Sequence, residues 1–179
     1  MSGPWRPGQR RADREAMLRV DQAGEYGATR IYAGQLAVLR RNSSAAKLVS
    51  RMAEQEQRHL KRFNALMSER GVRPTALQPV WHGAGFMLGA VTALISEEAA
   101  MACTEAVETE IDRHYGDQLR ELGEDDPVLA KDIEEFRAEE LEHRDVAREA
   151  GAARAPAYPV LTAAIRGACR IAIGLSKRV

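Results

Sequence analysis

The tetrapeptide Glu56-Gln57-Arg58-His59 returns 84 positions later as Glu140-Leu141-Glu142-His143. A Glu and a His three residues apart lie on one face of an α-helix, so both can point at one object. The chain has 18 Glu among 179 residues, so chance puts a Glu three before a given His about one time in ten. A single copy therefore carries little, but two copies at a fixed separation restrict the fold far more. Met52 and Phe136 match under the same offset, which marks an internal repeat of a helical hairpin.

The rest of the chain reads as helices around those two copies. Ala, Leu, Glu and Arg abound and aromatics are only 5% of residues, a helix-forming composition. Residues 1–8, with two Pro and two Gly, read as a disordered lead-in. A first helix is expected from about Gln9 to Arg41. Either Ser of Asn42-Ser43-Ser44 can cap a second, which runs to about Glu69 with Leu48, Met52, Gln55, His59, Phe63 and Leu66 on one stripe. Gly71 and Pro74 supply its stop. A linker through Pro79 leads into a third helical segment, about Trp81 to Leu122, nearly uncharged in its first half and charged in its second. Asp126-Pro127 reads as an N-cap followed by Pro at the first helical position of a fourth helix, which reaches about Ala150. A fifth spans about Tyr158 to Ser176. Short connections make neighbours antiparallel, so the two hairpins predict an all-α four-helix bundle, with a C-terminal amphipathic helix appended, in a single domain over 9–179.

The repeat also says where further inward acids belong. Glu25 precedes Glu56 by 31 residues and Glu108 precedes Glu140 by 32. Four carboxylates and two imidazoles make a mixed oxygen and nitrogen donor set, whose charge roughly cancels two divalent cations. The candidate metal ligands are Glu25, Glu56, His59, Glu108, Glu140 and His143, in the order found in ferritin-like carboxylate bundles. Gly24 and Gly27 flank Glu25, and each costs about 1 kcal/mol in a helix interior. Either close helix approach or space for a ligand explains them. Glu110 and His114 form an i,i+4 pair that only mimics a ligand pair. Cys103 and Cys169 are isolated, so no zinc ribbon, rubredoxin-type iron site or redox dithiol is indicated. With 26 basic and 26 acidic residues, nothing points to nucleic acid.

Leu18-Arg19-Val20-Asp21-Gln22-Ala23-Gly24-Glu25-Tyr26-Gly27-Ala28, followed by Arg30-Ile31-Tyr32-Ala33-Gly34-Gln35, closely resembles the first motif of the demethoxyubiquinone hydroxylase family. So do Glu56 to Phe63, Ala99 to Glu108, His114-Tyr115, Phe136 to Asp145, and the tail from Ala155 to Ser176. Gln22 departs from the His expected there in many members, at a position that is not a ligand. The resemblance implies a di-iron monooxygenase of ubiquinone biosynthesis. It implies two iron ions per chain, dioxygen as co-substrate, an external reductant such as NADH or a quinol, and a demethoxylated polyprenyl quinol as substrate. The same six residues match the family's iron ligands, with Glu56 and Glu140 expected to bridge or move. Tyr115, two turns from Glu108, and His114 are the candidate catalytic residues. Asp21 and Asp112, each one turn from a ligand Glu, are candidates for orienting an imidazole.

A polyprenyl substrate accounts for two apolar stretches. Trp81–Ile95 is too apolar for one face of a soluble helix, and no stretch has the roughly 20 strongly apolar residues of a spanning helix. The tail carries Val160, Leu161, Ile165 and Ile171, with Arg166, Arg170, Lys177 and Arg178 as cationic partners. Both are expected to dock the bundle peripherally on a membrane. The cytoplasmic face of a bacterial inner membrane is expected, with the matrix face of the mitochondrial inner membrane as the alternative. A homodimer or a lipid-presenting accessory protein are candidate partners. The rival readings are a ferritin- or rubrerythrin-like iron-binding or peroxide-reducing protein and a non-catalytic quinone-binding bundle.

Overall fold

Capping chemistry sets where the helices begin and stop. In a computed structural model of the protein, residues 12–179 are described, and the expected lead-in over 1–8 and the helix start at Gln9 lie outside them. Helix α1 (Arg14–Val38) begins where the Asp13 carboxylate accepts from the Ala16 N–H at 3.0 Å. Helix α2 (Ser44–Arg70) begins where Ser43 accepts from the Ala46 N–H at 3.1 Å, and it ends at Gly71 with φ 67°, left-handed backbone that favours glycine. Helix α5 (Pro127–Glu149) opens on Asp126, which accepts from the Leu129 N–H at 3.1 Å, with Pro127 at the first helical position. The ends of α2 and α5 are the ones expected from the sequence, within a few residues, whereas α1 opens at Arg14 on the Asp13 cap, which the sequence reading did not single out.

The expected single helix from Trp81 to Leu122 is instead two. Helix α3 (Gln78–Ile95) and helix α4 (Glu97–Leu122) are separated by Ser96, which is extended at φ −172° and ψ 168°. The Ser96 side chain accepts from the Ala99 N–H at 3.0 Å, and Glu97 and Glu98 face the positive end of the helix dipole. The described residues therefore form six helices, with a 3-10 turn at Ala152–Arg154 before α6 (Tyr158–Ser176).

Helices α1 and α2 form one hairpin, α4 and α5 the other, and together they make the four-helix bundle. Its interior is layered. Tyr32, Leu39, Val49, Met52, Ala99 to Ala102 and Ala147 pack one end. Met17, Leu18, Phe63, Leu66, Leu122, Leu129 and Ile133 pack the other. The buried Glu and His side chains lie between these apolar clusters along all four helices.

The additional helices lie outside the bundle. Helix α3 runs against α1 at backbone contact: a Cβ at Gly89 would lie 1.9 Å from the Ile31 carbonyl oxygen, and one at Gly34 would lie 2.1 Å from that of Phe86. Helix α6 packs mainly on α4. Arg166 Nε donates to Glu110 Oε1 at 2.6 Å and Arg170 Nε to Glu110 Oε2 at 2.9 Å. Tyr158 donates to Glu105 at 2.8 Å, and the Trp81 indole donates to Ser176 at 3.0 Å, tying α3 to the end of α6. Two of the four cations expected to face a membrane, Arg166 and Arg170, are thus committed to a buried carboxylate. Contrary to the sequence expectation, α6 is long and apolar enough, by length and composition, to cross a membrane; Tyr158, Arg166 and Arg170 on it bond to Glu105 and Glu110 of α4.

The Arg170 guanidinium, opposed by burial and aided by Arg166, holds the Glu110 carboxyl down at about 2. Its stabilising contribution is therefore complete above the ordinary carboxylate value of 4.5 and is lost as pH falls towards about 2. Glu110→Gln is expected to cost about 2 kcal/mol at neutral pH, discounting for the part-exposed arginines, and to flatten the acid limb of stability. Urea denaturation at pH 7 and melting curves down to pH 3 measure both effects.

Candidate metal centre

Helical spacing delivers the six predicted donors to one place. Glu25 comes from α1, Glu56 and His59 from α2, Glu108 from α4, and Glu140 and His143 from α5, all buried. They form two overlapping groups, Glu25, Glu56, His59 and Glu140, and Glu56, Glu108, Glu140 and His143; within each, donor atoms lie within 4.8 Å of one another. Glu56 and Glu140 belong to both groups. Both imidazoles turn Nδ1 inward: His59 Nδ1 is 3.1 Å from Glu140 and 3.4 Å from Glu25, and His143 Nδ1 is 3.1 Å from Glu140 and 3.2 Å from Glu56.

The electrostatics of this core call for cations. Both oxygens of Glu56, one oxygen each of Glu25, Glu108 and Glu140, and His59 Nδ1 are buried without a hydrogen-bond partner. Such atoms are rare in folded proteins unless an ion or water serves them. Burial, then the charges of Glu140 and Glu25, push Glu56 well above the usual carboxylate range, and burial with Glu140 does the same to Glu108. Burial also raises Glu140, although His59 partly offsets it. Glu25 alone is held low, because His59 outweighs the effect of burial. Burial pulls His59 down, but Glu140 and Glu25 together carry it up to about 10. Burial lowers His143. The raised acids show that one imidazolium does not suffice to keep all four ionised, whereas two divalent cations would match their combined charge. The donor set of acids and imidazoles suits iron.

Hydrogen bonds around this layer cross between the hairpins. Tyr115, seven residues after Glu108, donates to Glu25. Tyr32, seven residues after Glu25, donates to Glu108 Oε1 at 2.6 Å. Burial foremost, with the neighbouring acids, pushes both phenols well above 10, so both remain donors. Tyr32 was missed in the sequence although it relates to Tyr115 as Glu25 relates to Glu108. His114 lies 3.3 Å from Asp21, not against the six donors.

Asp21 and Asp112 do not orient the inward imidazoles. Asp21 faces His114, and Asp112 accepts from Arg137 at 2.7 Å. One-turn spacing put each on its ligand's side of the helix, but that side also borders other partners. The outer Nε2 atoms meet residues directly before Glu56 and Glu140: His143 Nε2 lies 2.9 Å from Gln55 Oε1, and His59 Nε2 lies 3.1 Å from Glu139 Oε2. Phe136 stacks on the His59 ring at 4.1 Å.

An apolar cavity of about 180 Å³ lies beside this core. Its walls come from α1 (Gly24, Gly27), α3 (Trp81, Leu88), α4 (Val107) and α6 (Ile173), so it reaches the neighbours of both Glu25 and Glu108. A Cβ added at Gly24 or Gly27 would meet nothing within 4 Å. Space, not close helix approach, is what these two glycines provide.

The fold and donor set define a class, four-helix carboxylate bundles able to hold a metal pair in the core. The family model for ubiquinone biosynthesis protein COQ7 matches residues 12–176, and the chain belongs to that family. It is 54% identical to a 3-demethoxyubiquinol 3-hydroxylase of Rhodospirillum rubrum, covering 92% of this chain and 78% of the relative. It is 52% identical to a human protein named NADPH-dependent 3-demethoxyubiquinone 3-hydroxylase, mitochondrial, over 94% of this chain and 79% of the relative. With a Saccharomyces cerevisiae protein named 5-demethoxyubiquinone hydroxylase, mitochondrial, identity is 43% over 92% and 78%. The chain is accordingly an oxidoreductase of the hydroxylase kind, and the storage, peroxide-reducing and non-catalytic readings fall away.

Cations that satisfy the orphaned donors bind the folded chain and not the unfolded one. Anaerobic cobalt(II) at about a thousand times its dissociation constant is expected to stabilise the protein by about 4 kcal/mol. Calorimetric melting with and without the metal checks this, and Glu140→Gln should abolish most of the shift.

Proposed function

We propose that the chain is a di-iron monooxygenase that hydroxylates the ring of a demethoxylated polyprenyl benzoquinol in ubiquinone biosynthesis. The observation that carries this reading is a pair of donor groups sharing Glu56 and Glu140 beside an apolar cavity. Glu25 and His59 would hold one iron, Glu108 and His143 the other, and Glu56 and Glu140 would span both. Bound iron would supply the reductive activation of dioxygen and the insertion of one oxygen atom into the ring.

The chain's own residues do the positioning. The cavity lined by Gly24, Gly27, Leu88 and Ile173 is the proposed seat of the apolar substrate, and its dry walls exclude water from the acidic layer. Tyr115 and Tyr32 donate from their phenols to Glu25 and Glu108, which aims those acids inward. Tyr115 is the proposed proton partner at the site. His114, paired with Asp21, acts at one remove from it. A reduced nicotinamide is the proposed electron donor, in line with the name of the human relative.

The substrate's chemistry also fits the outer surface. Met87, Val91, Leu94 and Ile95 on α3 and Val160 and Ile171 on α6 are exposed. Peripheral docking of these two helices on a membrane would bring the cavity to where a polyprenyl tail resides. The cytoplasmic face of a bacterial inner membrane, or the matrix face of a mitochondrial one, is the proposed location.

Purified protein reconstituted with ferrous iron should hold about two irons per chain. Supplied with reduced demethoxyquinone and labelled dioxygen, it should place label in a hydroxylated ring; mass spectrometry without such a product would sink the proposal. Glu140→Ala should abolish the product and cost both irons while leaving helical circular dichroism nearly unchanged. In vesicle flotation the full chain should rise with anionic liposomes, and replacing Met87, Val91 and Leu94 by Ser should return it to the soluble fraction.

A further inference from the structure

The inward donors obey a two-fold relation between the hairpins, and so do the two tyrosines. The next layer out breaks it. Gln55 and Glu139 stand 84 positions apart, at equivalent places just before Glu56 and Glu140. Each receives the outer Nε2 of the imidazole on the opposite hairpin, at 2.9 Å for Gln55 and 3.1 Å for Glu139. Gln55 also donates its amide N–H to Glu139 at 3.3 Å, which closes a chain of contacts from His143 to His59. One acceptor is a neutral amide and the other a carboxylate.

That difference bears on the metal positions. With Nδ1 turned to the acids, Nε2 carries the ring proton. An imidazole that gives this proton's hydrogen bond to a carboxylate is a more basic ligand than one that gives it to an amide. Hydrogen bonds to an ionised acceptor are also about twice as strong as neutral ones. Arg58 donates to Glu139 at 2.9 Å, but its side chain is 58% exposed against 20% for the carboxylate, so solvent screens it. Asp21, the other buried acid near Glu25, is matched by His114 and does not offset the inequality. Each inward group otherwise has one acid of its own, one imidazole and the same two shared acids.

We infer that Gln55 and Glu139 make the two metal positions unequal: the one at Glu25 and His59 binds more tightly and fills first, and the one at Glu108 and His143 fills second. Gln55 and Glu139 are positioning residues here, since they act through the imidazoles. The inference rests on the di-iron reading and specifies an order within it.

The test is anaerobic titration of the metal-free full chain with ferrous iron, followed by calorimetry and Mössbauer spectroscopy. The native protein should show two binding steps at least about tenfold apart, the first equivalent giving one quadrupole doublet and the second a different one. Glu139→Gln should weaken the first step by about 10–100-fold and bring the two together. The charge-conserving exchange, Gln55→Glu combined with Glu139→Gln, should separate them again with the order of the doublets reversed. That exchange keeps composition and net charge, and its melting temperature reports on folding. Two equal steps in the native protein with both doublets growing together, or a Glu139→Gln variant with unchanged constants, overturns the inference while the di-iron reading stands. A chain that retains no iron, or only one, overturns both.

Discussion

Burial of four carboxylates in the middle of a helical bundle is the constraint on which the rest of this structure depends. An isolated ion moved into such an interior costs several kcal/mol even after relaxation. The chain meets that cost in part with its own donors. Tyr115 and Tyr32 serve two of the acids, and the two imidazoles lie against three of them. What remains is a set of inward oxygens with no protein partner. The apolar clusters at each end keep those oxygens from turning away to solvent, because Leu18 and Phe63 on one side and Val49 and Met101 on the other fill the bundle to its ends. The acidic layer is held in place by packing, and its unspent charge is what makes it a site.

The crossing of contacts between hairpins follows from the repeat. Two copies of one hairpin packed face to face bring each element against the other copy's equivalents. Tyr32 therefore reaches Glu108 while Tyr115 reaches Glu25. Likewise the imidazole of each copy finds its outer partner on the other. An inward site of this kind cannot assemble from one hairpin alone, since each donor group draws on both.

Much of this was legible in the sequence because helices impose fixed spacing. The six donors followed from the three-residue Glu-His spacing and from the matching 31- and 32-residue separations across the repeat, and Ser43, Gly71 and Asp126 announced their helix ends by chemistry that acts locally. What stayed hidden depended on neighbours. The break at Ser96 has a capping serine and two acids, but apolar residues continue on both sides and the periodicity carries through. Spacing put Asp21 and Asp112 on plausible faces without saying which helix lies opposite, and so both were misassigned to the imidazoles. Gln55 and Glu139 sit beside ligand acids and look solvent-bound until the facing helix is known. Tyr32 follows Glu25 by seven residues as Tyr115 follows Glu108, so the same spacing marks it in the sequence.

The parts that do not repeat explain how a generic acidic bundle comes to border an apolar cavity. Two hairpins related by a two-fold leave two similar grooves. In this chain α3 lies against α1, with Gly34, Gly85 and Gly89 allowing backbone contact, and α6 is fastened over α4 through Glu105 and Glu110. Both additions fall on the α1 and α4 side, and the Trp81 bond to Ser176 joins them. The α2 and α5 side receives neither, and there the polar chain through Gln55 and Glu139 borders the imidazoles. The two faces of the acidic layer are thus unlike: one dry and walled by glycine-flanked helix, one polar and hydrogen-bonded. On the proposed reading, a quinol entering from the dry face would pass Gly24 and Val107, the chain neighbours of Glu25 and Glu108. On the proposed reading, metal retention would be tuned from the other face through the imidazoles, so substrate access and metal retention would fall to separate sets of side chains.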